Sequence, residues 1–271
     1  MAPEAPAGGV GSGPPSHFHY HACAHAFSAQ FTRPFSEQID VQAASSLPPT
    51  GGHGCARVEN FRFREFICFD KGYSHVSGGY QSDDQSNNTL VTATLEGLNM
   101  LDILTADRIV ARLYSKHAKG KPEGDITMHG SKFENLQICG RPVKIDLDFT
   151  LFENIQTFET ARTAYSDARS DFHERAKDPL RCGTALPSQD KNGAFLCSLV
   201  KGNIEVDYPG VQASGHSIYV PGFGRVYFAE VFLSHGQRTL TMLRFELGST
   251  TRAGGSGAAA TSNGKNYPPG A

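Results

Sequence analysis

Residues 16–33 read SHFHYHACAHAFSAQFTR. Odd positions from 17 to 25 hold His, His, His, Cys and His, while even positions from 18 to 26 hold Phe, Tyr, Ala, Ala and Ala. Successive side chains of a strand project to opposite faces, so a period of two is the strand period. The stretch is predicted to be a strand with Phe18 and Tyr20 on the core side. His17, His19, His21, Cys23 and His25 share its other face.

Outward from this strand, a second short strand is expected at Ile39 to Ala43, and PPTGGHG at 48–54 reads as a loop. Three hexapeptides then resemble one another: Val58 to Phe63, Leu95 to Met100 and Phe133 to Ile138. Each runs apolar, Glu, Asn or Gly, apolar, polar, apolar, and each precedes an extended stretch, which suggests an internal repeat. The third such stretch, Val143 to Phe149, alternates apolar and charged residues as a half-buried strand does. By analogy TADRIVARLYSKHA at 105–118, which also fits a helix, is predicted to be a strand. One helix is expected from Thr157, with Thr157 as its cap, an apolar stripe through Phe158, Ala161, Tyr165, Ala168 and Phe172, and Asp178-Pro179 as its end. Ala194 to Val200 is expected as a strand, and Gly224 to Leu233 and Thr239 to Leu247 as a hairpin. The fold class is mainly β, an antiparallel sandwich, an irregular barrel or a short solenoid, with one packed α-helix.

Residues 1–15 and 249–271 are built from Gly, Ala, Ser, Pro and Thr and are expected to be disordered tails around a single domain at 16–248. The formal net charge of −2 offers no basic excess for phosphates, so no nucleic acid is expected as a partner. No charged and apolar leader and no long apolar run is seen, so the expected location is cytoplasmic, without a membrane span. The six cysteines, Cys23, Cys55, Cys68, Cys139, Cys182 and Cys197, form no C-x-x-C pair and are expected to be mostly small buried residues.

The stretches HFHYHACAHAFSAQFTRPF (17–35), EGLNMLDILTADRIVARLYS (96–115) and FENLQICGRPVKIDLD (133–148) resemble bacterial β-rich proteins that carry no assigned activity. The resemblance implies strands in the second of the three similar segments. It transfers no reaction and no site residue.

Three constellations carry chemistry. Imidazole and thiolate are good ligands for Zn or another divalent transition metal, and two neighbours of the histidine face can reach one ion, with further ligands from an adjoining strand. Glu59, Glu96 and Glu134 recur at one position of the similar hexapeptides; they either gather for a hard cation or each meet a basic neighbour. Glu230 lies in a strand apolar on both faces and needs a buried partner, for which Arg244 across the hairpin is the candidate. Ser131 and Ser217 lie beside histidines but match no hydrolase motif. The expected function is a non-enzymatic binding or structural protein, with a homo-oligomer or a protein as partner, an unassigned ligand and a metal on the histidine strand. The alternative is a metal-dependent, cupin-like enzyme, in which His75 or His129 would approach that strand.

Overall fold

The computed structural model describes residues 17–121, 123–181, 194–248 and 252–267. Strands β1 (His17–Arg33), β2 (Glu37–Gln42) and β3 (Ser45–Ser46) come first. β4 (Gly52–Phe63), β5 (Ile67–Gln81), β6 (Ser86–Met100) and β7 (Leu104–Ala118) follow as long antiparallel neighbours. Short strands β8 (Asp125–Thr127), β9 (Lys132–Glu134), β10 (Gln137–Ile138) and β11 (Arg141–Pro142) lead to helices α1 (Thr150–Glu153), α2 (Phe158–Ser166) and α3 (Asp171–Arg181). The chain returns to strands with β12 (Phe195–Ser198), β13 (Gln212–Ser214), β14 (Ser217–Val220), β15 (Gly224–Ser234), β16 (Gln237–Leu247) and β17 (Arg252–Tyr267).

These strands make an antiparallel β-sandwich. One sheet runs β13-β14-β15-β16-β17-β1-β2, with β12 on β15 and β3 on β1; the other runs β11-β10-β7-β6-β5-β4, with β8 and β9 on β7. Aromatic and aliphatic side chains of the inner faces fill the space between them. Phe27 of β1 lies 5.9 Å from both Phe69 of β5 and Phe245 of β16, ring centre to ring centre. Phe31 stacks on Phe63 of β4 at 5.0 Å, and Phe133 meets Phe228 of β15 edge to face. The alternation of β1 is realised. Ala22, Ala24 and Tyr20 are buried, the Tyr20 hydroxyl donates to Asn87 Oδ1 on β6 at 2.8 Å, and Phe18 packs on His117 of β7.

Residues 105–118 form a strand, β7, as expected. Four expectations are corrected. First, the stretch expected as a C-terminal tail is over Arg252–Tyr267 a strand, lying between β16 and β1. Its small residues are what the site admits: a Cβ on Gly255 would stand 2.4 Å from the Ser28 carbonyl oxygen and 2.6 Å from Phe245, and one on Gly264 2.3 Å from Phe18. The expected N-terminal tail, 1–15, lies outside the described residues. Second, the single helix is two. Asp167 leaves the helical conformation (φ −87°, ψ 107°), its carboxylate accepts from Arg169 N at 3.0 Å, and Ser170 Oγ accepts from His173 N at 3.0 Å as the new cap. Short polar side chains compete for backbone groups in this way. Thr157 caps α2 as expected, and α3 runs past Pro179 to end two residues later.

Third, Val143 to Phe149 makes only isolated bridges, Lys144 to Glu205 and Leu147 to Val200. Its partner segment turns at Gly202 (φ 70°), so no ladder propagates. Fourth, Cys23 and Cys55 are exposed, Cys68 and Cys139 half-buried, and Cys197 is the buried one among the described cysteines.

The three similar hexapeptides share one device. Their third residues, Asn60, Gly97 and Asn135, take left-handed φ values of 51°, 66° and 48°. Asn and Gly are the residues that tolerate this. The residues before them fall into a single cross-strand row, Glu59–Lys71–Glu96–Arg108–Glu134. The carboxylates are therefore interleaved with bases. Arg108 holds Glu96 at 2.9 Å through Nε, Arg57 pairs with Glu59, and Lys132 pairs with Glu134.

Candidate functional face

The histidine strand lies near one edge of the nine-stranded sheet, with β17 on one side and the edge strands β2 and β3 on the other. Its outward face carries His19, His21 and Cys23, all exposed, and His25, half-buried. His17 begins the strand, in backbone register with Tyr267. Burial pushes the His25 ring down from its ordinary pKa, which keeps it neutral, and its Nε2 lies 3.3 Å from Ser256 Oγ. His75 stands on β5 in the opposite sheet, and His129 bonds Glu153 at 2.8 Å, so neither joins the strand. Among the described residues no group of three or more His, Cys, Asp or Glu side chains is gathered to hold a metal ion.

Antiparallel register extends this face into rows that are mostly polar, interrupted by Phe232, Ala259 and Gly254. Ser46, Cys23, Thr261, Thr239 and Phe232 lie in one row, and Thr239 and Thr261 share a hydrogen bond at 3.0 Å. His25, Ala259, Thr241, Glu230 and Ser198 make a second, and Ser28, Ser256, Arg244, Tyr227 and Ser217 a third. A fourth runs Gln38, Gln30, Gly254, Glu246, Arg225 and Tyr219. Tyr219 is 38% exposed, and Arg225 lies 5.8 Å from its ring centre.

An ionic network anchors the middle of the face. Arg244 donates from Nε to Glu230 Oε2 at 2.6 Å and from Nη2 to Oε1 at 2.8 Å, the expected pair in bidentate form. Sequence reasoning missed three more members. His216 Nε2 lies 3.1 Å from Glu230 Oε1, the Arg244 guanidinium covers the Tyr227 ring at 3.5 Å, and Glu246 takes the remaining Arg244 contact. Burial alone would raise the Glu230 carboxyl, but hydrogen bonds from Arg244 and His216 and their charge hold it below its ordinary value. Arg244 is pushed up by the same pairing, against the effect of burial. Neither Ser–His neighbour pair makes a dyad. Ser217 Oγ donates to the Ser214 carbonyl at 3.0 Å, and Ser131 Oγ accepts from Arg112 N at 2.9 Å.

Beside this network, α3 borders a cleft of about 870 Å³ lined by His173, Arg175, Ser198, Lys201 and His216. Arg175 Nη2 donates to Asp148 Oδ2 at 2.6 Å. Burial would raise the Asp148 carboxyl, but bonds from Thr150 and Arg175 bring it down to about 2. No helix among the described residues is long and apolar enough to cross a membrane.

No curated protein and no solved structure matches the chain. A family model described as a domain of unknown function (DUF8256) matches residues 18–234, which covers β1 to the end of β15. The chain, with Glu230, His216 and the histidine strand from residue 18 onward inside the matched region, belongs to the DUF8256 family.

Proposed function

We propose that the protein is a non-enzymatic β-sandwich module that meets its ligand or protein partner on the outer face of the nine-stranded sheet. The histidine end of that face takes a divalent transition metal such as Zn²⁺. The observation that carries the reading is the continuity of the mostly polar rows, which run in register from β14 across to β1 and its neighbours. Support for the metal comes from His19 and His21, exposed on one face two residues apart. Strand geometry spaces such side chains by ~6–7 Å, close enough for both imidazoles to reach one ion. Water or a second chain completes the coordination.

Calorimetric titration of tag-free protein with Zn²⁺ tests this. Saturable binding with a micromolar Kd is expected, as is a rise in stability of ~2.7 kcal/mol at a hundredfold excess over Kd by mass action. A joint His19→Ala, His21→Ala variant loses both effects and keeps the metal-free melting temperature, because those side chains face away from the core. Acidification weakens binding, since ligation needs neutral imidazole. Wild-type protein that shows no saturable uptake would remove the metal and leave the face as a contact surface alone.

A further inference from the structure

Two side chains on the lining of the cleft beside α3, His173 and Arg175, each carry a buried polar atom with no hydrogen-bond partner among the described residues, Nε2 and Nη1. Buried polar atoms in folded proteins are nearly always bonded, so two on the lining of one cleft call for an explanation. The remaining bonds of each side chain define what these atoms offer. His173 Nδ1 lies 2.5 Å from the Tyr165 carbonyl oxygen, which can only accept. Nδ1 therefore carries the proton, and in the neutral ring Nε2 presents a lone pair. Arg175 is tied through Nη2 to Asp148, whose carboxyl is ionised throughout the ordinary pH range, and its Nη1 remains a donor. Lys201 adds an exposed cation to the same lining, and Asp171 and Glu174 at the start of α3 add exposed carboxylates to it. The cleft thus offers a charged donor, an acceptor for a hydroxyl proton and a volume well beyond that of a single inorganic ion.

We propose that this cleft binds a small hydroxylated organic anion, a sugar acid or a sugar phosphate. Its anionic group accepts from Arg175 Nη1 and Lys201, and one of its hydroxyls donates to His173 Nε2. The proposal deepens the binding-module reading and rests on it, but it concerns a different site from the histidine strand.

The test is a calorimetric titration of the full chain with gluconate, glucose 6-phosphate, glucose and acetate, in the absence of metal. One or both hydroxylated anions bind saturably, and which of them does separates the carboxylate from the phosphate source. Glucose, which lacks the charge, and acetate, which lacks the hydroxyls, bind about tenfold or more weakly, because a site with polar groups placed for a ligand rejects analogues that leave them unpaired. His173→Phe keeps a ring beside Tyr165 but removes the lone pair, and brings the affinity for the hydroxylated anion down to that for acetate. Should that variant not fold, the wild-type imidazole ¹⁵N spectrum serves instead. His173 appears as the Nδ1–H tautomer, and its Nε2 resonance shifts on adding the anion that binds. Equal affinity for acetate and gluconate, no binding of either hydroxylated anion, or a His173 spectrum unmoved at saturation would overturn the proposal. Zn²⁺ binding at the histidine strand is untouched by that outcome, so the two readings fail separately.

Discussion

At the residue scale the energetics concentrate in a few buried ionisable groups. Glu230 has a side chain 5% exposed, with two charged or polar partners. Glu59, also paired with an arginine, is 48% exposed. The two glutamates therefore predict different outcomes. Glu230→Ala leaves His216 without this acceptor and Arg244 with Glu246 alone, and is expected to cost ~2 kcal/mol or more, whereas Glu59→Ala is expected to cost less than ~0.5 kcal/mol. Urea denaturation of the two variants decides this, and similar midpoints would sink the assignment. Glu230 and Arg244 were legible because a charge inside an apolar run needs a partner and the hairpin supplies one. His216 was not legible, since it reaches Glu230 from the turn before β14 and no periodicity connects the two. His117 is a second case. Burial pushes its ring below the ordinary value, against the pull of Asp125 and Glu123, and its Nε2 has no hydrogen-bond partner among the described residues. A lowered folded value means that the unfolded chain takes up the proton first. The contribution to stability is whole above the unfolded value of ~6.5 and declines as the pH falls through it towards the folded value. His117→Leu is expected to flatten the stability profile in that window, and a profile as steep as the wild type's would count against it.

At the scale of elements, strands with a strict alternation were readable and strands of small residues were not. β1 declares itself because its two faces meet different surroundings, solvent and the opposite sheet. β17 shows no such contrast. Its Ala, Gly, Ser and Thr resemble a linker, and their role appears only beside Phe18, Phe27 and Phe245, which take up the room that larger side chains would need. The expected outcome is position-specific. Gly255→Val forces a side chain against Phe245 and the Ser28 carbonyl and is expected to cost ~1–3 kcal/mol or more, as overpacking does. Gly248→Ala meets nothing within 4 Å and is expected to be close to neutral. Thermal melts of the pair check this, with two near-neutral variants as the contrary result. The similar hexapeptides show the opposite limit. Their likeness reports a left-handed residue at the third position, and the elements after it differ: β5 after the first, β7 after the second, the two-residue β11 and then isolated bridges after the third. The split of the expected helix is likewise a matter of local chemistry, Asp167 and Ser170 taking backbone groups that a continuous helix would have used for itself.

At the scale of the whole molecule the decisive contact joins the two ends of the described chain. β17 fills the gap between β16 and β1 along its whole length, and His25 and Ser256, side by side, are 231 residues apart in sequence. Without β17 the nine-stranded sheet separates into two pieces, β12 to β16 and β1 with β2 and β3. Each piece would then expose an unpaired edge next to inner-face residues such as Phe27 and Phe245, a template for association with other chains. Pairing so distant in sequence is also slow to form, because its loop-closure entropy is lost before the contacts compensate. A chain ended after Gly248 is therefore expected to lose its cooperative melt and to elute as aggregates in size-exclusion chromatography. A synthetic peptide of residues 249–271, added during refolding, is expected to restore the melt in a concentration-dependent way, since the strand would then act as a ligand of the remaining sandwich. The histidine face offers a separate readout, because β1 keeps its rows only with β17 in place; Zn²⁺ binding should return together with the melt. A truncated chain that melts cooperatively within a few degrees of the full one would show that the sandwich closes without β17, and the account of residues 252–267 as an integral strand would have to be given up.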